Sequence, residues 1–238
     1  MPPARLRGFL SYSVVDRHVA AAVKVALAEL GVDAFMAHED VQVSQQWRDR
    51  ILSELNVMDV FLPLLSAAFR SSDWTAQEVG VAIGRPEVLI IPTSVDGTVP
   101  YGFIGAIQGR KLPNPIAADF FREAIASRFP RVVVGSLIEA LAGAGSWRGA
   151  EALFYPLLPY LATLTPDEAV ALAKASTENA QIWDAALCRT AYLPDFIAKN
   201  KHHLPKGVLG PLQFQIDNAS WYIPTPEPQP RAEDRPSP

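Results

Sequence analysis

One cysteine, Cys188, is all that the 238 residues contain. A single thiol excludes an intramolecular disulfide framework and any zinc site built on several cysteines, and Cys188 reads as a small core residue. Long apolar runs are missing as well. The longest, residues 60–69, is interrupted by Ser66 and falls far short of the roughly 20 residues that span a bilayer. Residues 1–8 carry Arg5 and Arg7 but lead straight into a strand-like segment, without the apolar stretch of a signal peptide. A cytoplasmic protein with no membrane partner is the expectation.

Excess positive charge is also absent. The formal net charge is -4, with the acidic surplus spread along the chain, so no surface is built to displace counterions from phosphates and no nucleic acid is expected as a partner. Lys199, Lys201, His202, His203 and Lys206 form a short basic cluster that reads as a solvated loop. The four histidines lack metal-ligand spacing, and no metal is expected. Neither a Gly-x-Ser-x-Gly elbow nor a Walker-type or Gly-x-Gly-x-x-Gly loop occurs, which sets aside triad and P-loop chemistry. What the chain does have is apolar material: 49% hydrophobic against 19% charged residues is the balance of a folded core rather than of disorder. The length suits one full domain with a smaller companion.

The first half alternates strand and helix signals. Residues 6–11 are short and apolar, as a buried parallel strand is. Asp16 is placed to cap a helix whose Val19, Val23, Ala26, Leu27 and Leu30 share a face, and Gly31 supplies a left-handed stop. A strand over 32–36, a polar loop over 37–44 and a helix carrying Trp47, Ile51, Leu55 and Met58 follow. Further strands are expected over 60–65 and 88–95, a short helix over 75–84, an edge strand over 108–112 and a closing helix over 117–129. Strands that alternate with helices imply right-handed crossovers and a parallel sheet. Pro63 and Pro92 fit poorly inside strands and mark bulges or strand ends.

Beyond residue 130 helical signals take over. Ser146 caps a helix with Leu153, Leu157, Leu161 and Leu164 on one stripe, split or kinked by Pro156 and Pro159. Thr165, Pro166 and Glu168 form a capping box with proline at the first helical position. A further helix is expected over 180–192 and a terminal β-hairpin over Leu212, Phe214 and Ile216, turning near Asp217 and Asn218. Residues 224–238 contain six prolines and read as a disordered tail.

Phe9-Leu10-Ser11-Tyr12-Ser13, the loop around Glu39-Asp40, residues 60–66 and Ser72-Asp73-Trp74-Thr75-Ala76-Gln77-Glu78 occur in the order of a TIR (Toll/interleukin-1 receptor) domain. The stretch from Leu89-Ile90-Ile91-Pro92 through Asp96-Gly97 to Pro100-Tyr101-Gly102-Phe103-Ile104 resembles the free-standing bacterial members. The resemblance implies a flavodoxin-like parallel five-stranded sheet over residues 4–130 and does not extend to residues 131–223, which read from their leucine stripe and their tryptophans as a smaller, mainly helical domain with a regulatory or oligomerisation role. The resemblance further implies cleavage of NAD at the nicotinamide–ribose bond, by hydrolysis or cyclisation, in bacterial defence signalling. NAD is then a substrate, and no cofactor is expected. The expected partners are a second copy of the TIR domain and a regulatory partner at the helical region.

By that resemblance Glu78 is the catalytic carboxylate, Trp74 four residues earlier lines the pocket rim, Glu39 contacts the ribose, and Ser13 and Val14 face the phosphates and adenosine. Neither Ser13 nor Val14 is basic, so pyrophosphate contacts fall to backbone amides or Arg17. Other readings of the same residues stand beside these. Thr75-x-x-Glu78 is itself a capping box before an apolar run. Trp74 also reads as core, Glu39 as a solvated carboxylate and Trp47 as helix packing. The competing functions are a non-enzymatic TIR scaffold acting by homotypic assembly and a nucleoside deoxyribosyltransferase-like enzyme, which uses a glutamate on a related fold.

Overall fold

A computed structural model of the chain describes residues 5–36 and 45–218. The first strand, β1 (Leu6–Ser11), is followed by a 3-10 turn, Val14–Asp16, then α1 (Arg17–Ala28), β2 (Val32–Met36), α2 (Gln45–Val57) and β3 (Val60–Leu65). Next come α3 (Ala67–Arg70), α4 (Asp73–Ile83), β4 (Leu89–Ile90), β5 (Thr93–Ser94), the short edge strand β6 (Arg110–Lys111) and α5 (Asp119–Arg128). All five strand pairings are parallel, in the order β2-β1-β3-β5-β6, with β4 also paired to β3. Because β4 and β5 are successive pieces of one interrupted strand, the sheet has five strand positions in the flavodoxin-like order.

Alternation along the strands sorts side chains to two faces. Leu6, Leu10, Val32, Ala34, Val60 and Leu62 pack beneath α1 and α5, whereas Phe9 and Phe61 meet Trp47, Ile51 and Leu55 of α2 and Ala82 of α4. The four apolar residues expected to anchor α2 are all buried. Gly31 has φ +79°, as a left-handed stop requires.

The expected strand over 88–95 is broken, and the two prolines account for it. In the β3 ladder Ile91 N–H donates to the Phe61 carbonyl and Val95 N–H to the Leu65 carbonyl. The next rung would need an N–H at residue 63 to reach the Ile91 carbonyl, and proline has none. That carbonyl accepts the Thr93 hydroxyl instead, at 3.1 Å. Pairing resumes at Leu64 and Thr93.

The remaining described residues are helical. The chain passes from α5 through Phe129 into α6 (Pro130–Ala142), with proline in its first turn, and then into α7 (Trp147–Phe154), capped by Ser146. Pro156 and Pro159 mark the 3-10 segment Tyr155–Thr163 that replaces the rest of the expected leucine-striped helix. The capping box of α8 (Pro166–Glu178) forms as the spacing indicates, with Thr165 accepting from Glu168 N–H and the Glu168 carboxylate accepting from Thr165 N–H.

Two elements differ from expectation. The single helix over 180–192 is α9 (Ala180–Trp183) and, after a break, a π-turn Cys188–Tyr192 that leads into α10 (Leu193–Asn200). The terminal hairpin is instead α11 (Lys206–Asn218). Leu212, Phe214 and Ile216 do alternate, but Val208, Leu212 and Ile216 also recur every fourth residue. It is that stripe which packs against the core, while Phe214 is exposed.

A single apolar core runs from the β1–β2–β3 face through α1 and α5 into α6, α8 and α10. At one contact Gly31 lies so close to α6 that a Cβ there would meet Val132 Cγ1 at 2.7 Å and crowd Ser136 Oγ. Among the described residues no helix is long and apolar enough to cross a membrane.

Candidate functional site

The sheet order reverses between β1 and β3: the chain leaves β1 for β2 on one side and then crosses to β3 on the other. In open parallel sheets this switch point leaves a crevice beyond the carboxyl ends of the strands, where ligands bind. Ser11 ends β1 directly opposite Pro63 of β3, and the turn Val14–Asp16 and the start of α3 overhang the same end. Asp16 does not cap α1 with its side chain. Its carboxylate accepts from Ser66 Oγ at 2.6 Å, tying the loop after β1 to the loop after β3. Ser66 in turn accepts from Phe69 N–H as the cap of α3. Asp96, beyond β5, accepts from the Thr98 hydroxyl and from the Thr98 and Ala67 amides, which hold its carboxyl down at about 2.

Glu78 reaches this crevice from α4. That helix begins two residues earlier than its pattern suggests, because Ser72 is the cap and accepts from Thr75 N–H. The capping-box reading of Thr75 and Glu78 is therefore overturned. Thr75 donates its hydroxyl to the Phe69 and Ser72 carbonyls. Glu78 lies on the buried stripe of α4 with Thr75 and Ala82, only 4% exposed. Its Oε2 accepts a hydrogen bond from the fully buried Ser11 hydroxyl. Burial pushes the Glu78 carboxyl up from 4.5 to about 7, against the opposing pull of the Ser11 hydrogen bond. A carboxyl poised there interconverts between acid and carboxylate near neutrality, unlike a solvated surface carboxylate.

Trp74, one turn before Glu78, is 42% exposed and packs edge-to-face on the buried Trp47 of α2, ring centroids 4.9 Å apart. It is thus neither wholly core nor free: one edge is braced by α2 and the rest faces solvent. Ser13 is half-buried, and its carbonyl accepts from Asp16 N–H at 2.8 Å. Val14 is exposed, as is Val15 beside it. Glu39 and the loop 37–44 lie outside the described residues, as does the tail 224–238. The structure thus gathers Ser11, Asp16, Ser66 and Glu78 at one end of the sheet. Ser11, quoted in the sequence only as part of the first-strand motif and not as a site residue, is the side chain that the structure places on Glu78, and its position at the end of β1 is the signal that could have marked it.

Grooves occur elsewhere, one between α5 and the 3-10 segment at Pro156 and Pro159, another beside β4 and Phe120, and neither is lined by a buried titratable side chain. Among the described residues no group of three or more His, Cys, Asp or Glu is arranged to hold a metal ion. No curated protein matches the chain. A family model of the TIR domain matches residues 9–126, from the middle of β1 into α5, and so takes in Ser11, Trp74 and Glu78. With that match, the parallel sheet and its strand order, the chain belongs through residues 9–126 to the TIR domain family.

Proposed function

We propose that this chain is an NAD-cleaving TIR enzyme, a glycohydrolase or an ADP-ribose cyclase acting at the nicotinamide–ribose bond, in bacterial defence signalling. The observation that carries the reading is Glu78: a carboxylate buried at the switch-point crevice, anchored by Ser11 and with its pKa raised to about 7. An ordinary glycosidase needs two carboxylates, one of them to protonate a poor leaving group. Nicotinamide in NAD is already a cationic pyridinium. When the ribose C1′–nitrogen bond breaks, the bonding pair returns to the ring nitrogen and the base departs neutral, so no general acid is required.

Ionised Glu78 then stabilises the oxocarbenium-like transition state, electrostatically or by transient attachment at C1′. If water captures C1′, it loses a proton and ADP-ribose results. If a hydroxyl or ring nitrogen of the same molecule captures it, a cyclic product results. In this proposal Trp74 forms the rim against which the substrate packs, Ser13 and Val14 border the phosphates and adenosine, and Glu39 holds ribose hydroxyls. Self-association through the TIR domain completes the site.

Glu78→Gln keeps shape and hydrogen-bonding capacity but removes the charge. It is expected to lower NAD turnover by at least a thousandfold, about 4 kcal/mol of barrier, with an unchanged circular-dichroism spectrum. A folded Glu78→Gln protein that still cleaves NAD at the wild-type rate rejects the assignment. A wild-type protein that assembles but leaves NAD intact favours the scaffold reading.

A further inference from the structure

Among the described residues Glu78 is held by one side chain from outside its own helix, and that side chain comes from the opposite wall of the crevice. Ser11 is the last residue of β1, fully buried, in register with Pro63. Neither its place in the sheet nor its burial requires a hydroxyl there, since strand ends beside a helix are as well filled by alanine or valine. A buried hydroxyl is unfavourable unless it is hydrogen-bonded, and Ser11 meets that requirement by donating to Glu78 Oε2. We propose that Ser11 is the positioning residue of the site: it commits Oε2 to the sheet, leaves Oε1 to the ribose, and favours the ionised carboxylate that the reaction needs. This rests on the NAD-cleaving reading above and adds to it the group that aims and charges the carboxylate.

The surroundings of α4 leave this task to Ser11. Among the described residues the elements packed most extensively on α4 are α2, α3, β3 and the 3-10 turn Gly102–Ile104, with β1 reaching it through Ser11. β3 and the turn carry no charge. On α2, Arg50 pairs with Glu54 at 2.6 Å, and Arg48 and Asp49 are exposed beside each other. Arg70 of α3 lies over the Tyr101 ring, 4.9 Å from its centroid. Asp73 on α4 and Arg7 on β1 are exposed. None of these charges acts on the Glu78 carboxyl, which among the described residues is governed by burial in one direction and by Ser11 in the other. A hydrogen bond that the carboxylate accepts favours the ionised form. Without it, burial alone would keep Glu78 protonated further above neutrality.

The test reads the carboxyl directly and does not need turnover. The side-chain carboxyl carbon of Glu78, labelled with carbon-13 and assigned by its loss in Glu78→Gln, is titrated by NMR in the wild type and in Ser11→Ala. The midpoint is expected to rise by about one pH unit in Ser11→Ala, as a hydrogen bond to a charged group implies, and to stay near the wild-type value in Ser11→Thr, which keeps the hydroxyl. On NAD, Ser11→Ala should shift the pH profile of kcat/KM alkaline by the same amount and lower kcat about tenfold below neutrality, with KM little changed. Should Ser11→Ala not fold, Ser11→Cys supplies a weaker donor of similar shape, and its midpoint should move the same way by less. An unchanged midpoint in folded Ser11→Ala, or in Ser11→Cys where Ser11→Ala does not fold, overturns the proposal. A shifted midpoint in a protein that cleaves no NAD upholds the Ser11 contact while rejecting the enzymatic reading, so the two claims fail separately.

Discussion

Buried carboxyls make pH a probe of this protein, and Glu78 is the residue at which the probe reads. Its carboxyl titrates at about 7 in the fold against 4.5 when unburied, so the folded protein holds the proton more tightly than the unfolded chain. Stability is therefore fully present below about pH 4.5, declines as the pH rises through about 7, and is flat above, with a total loss of roughly 3 kcal/mol. Glu78→Gln never ionises and escapes that loss. Urea denaturation should find Glu78→Gln more stable than the wild type at pH 8.5 by up to about 3 kcal/mol and close to it at pH 4.5. A constant difference between the two proteins across that range would show that Glu78 ionises freely in the fold. Activity runs the opposite way. The carboxylate is the working form, so kcat/KM for NAD should climb through about pH 7 to an alkaline plateau, and a profile flat from pH 5 to 9 would contradict that role. Trp74 adds a second residue-level expectation. Trp74→Ala removes an edge-to-face pair worth about 1 kcal/mol and should cost far more in turnover than in stability.

At the scale of elements, legibility followed the strength of the local pattern. β1, β2 and β3 lie where the short apolar runs place them, and of the four buried residues that the spacing selects α2 carries Trp47, Ile51 and Leu55, with Met58 just past its end. The capping box of α8 was equally plain, because its signal lies wholly within four residues. What escaped the pattern was set by partners distant in sequence. Nothing local to Pro92 tells that the missing N–H of Pro63 faces the same rung, so the break between β4 and β5 is visible only in the paired sheet. Asp16 looked like a cap because caps are local, yet its partner is Ser66, 50 residues on. Thr75 and Glu78 matched a capping box for the same reason, while their actual partners are Phe69, Ser72 and Ser11. The turn between α1 and β2 carries its own expectation. Gly31→Ala combines a left-handed backbone with a Cβ directed into Val132 and Ser136 of α6, and should destabilise the protein by about 2 kcal/mol or more by thermal melting. A neutral Gly31→Ala would mean that α6 does not rest on this turn.

The whole molecule poses the question of what residues 131–223 contribute. We propose a regulatory or oligomerisation role for this region, and its packing states how it must be tested. The core that starts under β1 continues through α5 into α6, where Val133, Val134, Leu137 and Leu141 are buried. Ending the chain after Pro130 would uncover that apolar face, and such a truncation is expected to aggregate on size-exclusion chromatography; a monodisperse, folded product would mean that the helices do not complete the core. Regulation is better read in the full chain, where specific activity should rise with protein concentration as TIR domains associate, whereas concentration-independent turnover by a monomer verified by light scattering would count against assembly. The central claim is chemical, and one experiment meets it most directly. The purified full-length protein is incubated with NAD at pH 8, where Glu78 is ionised, at a concentration at which light scattering shows assembly, and the products are separated by chromatography. Release of free nicotinamide together with ADP-ribose or a cyclic isomer, lost in Glu78→Gln, is the result predicted; intact NAD after incubation with the assembled wild-type protein is the result that would contradict it.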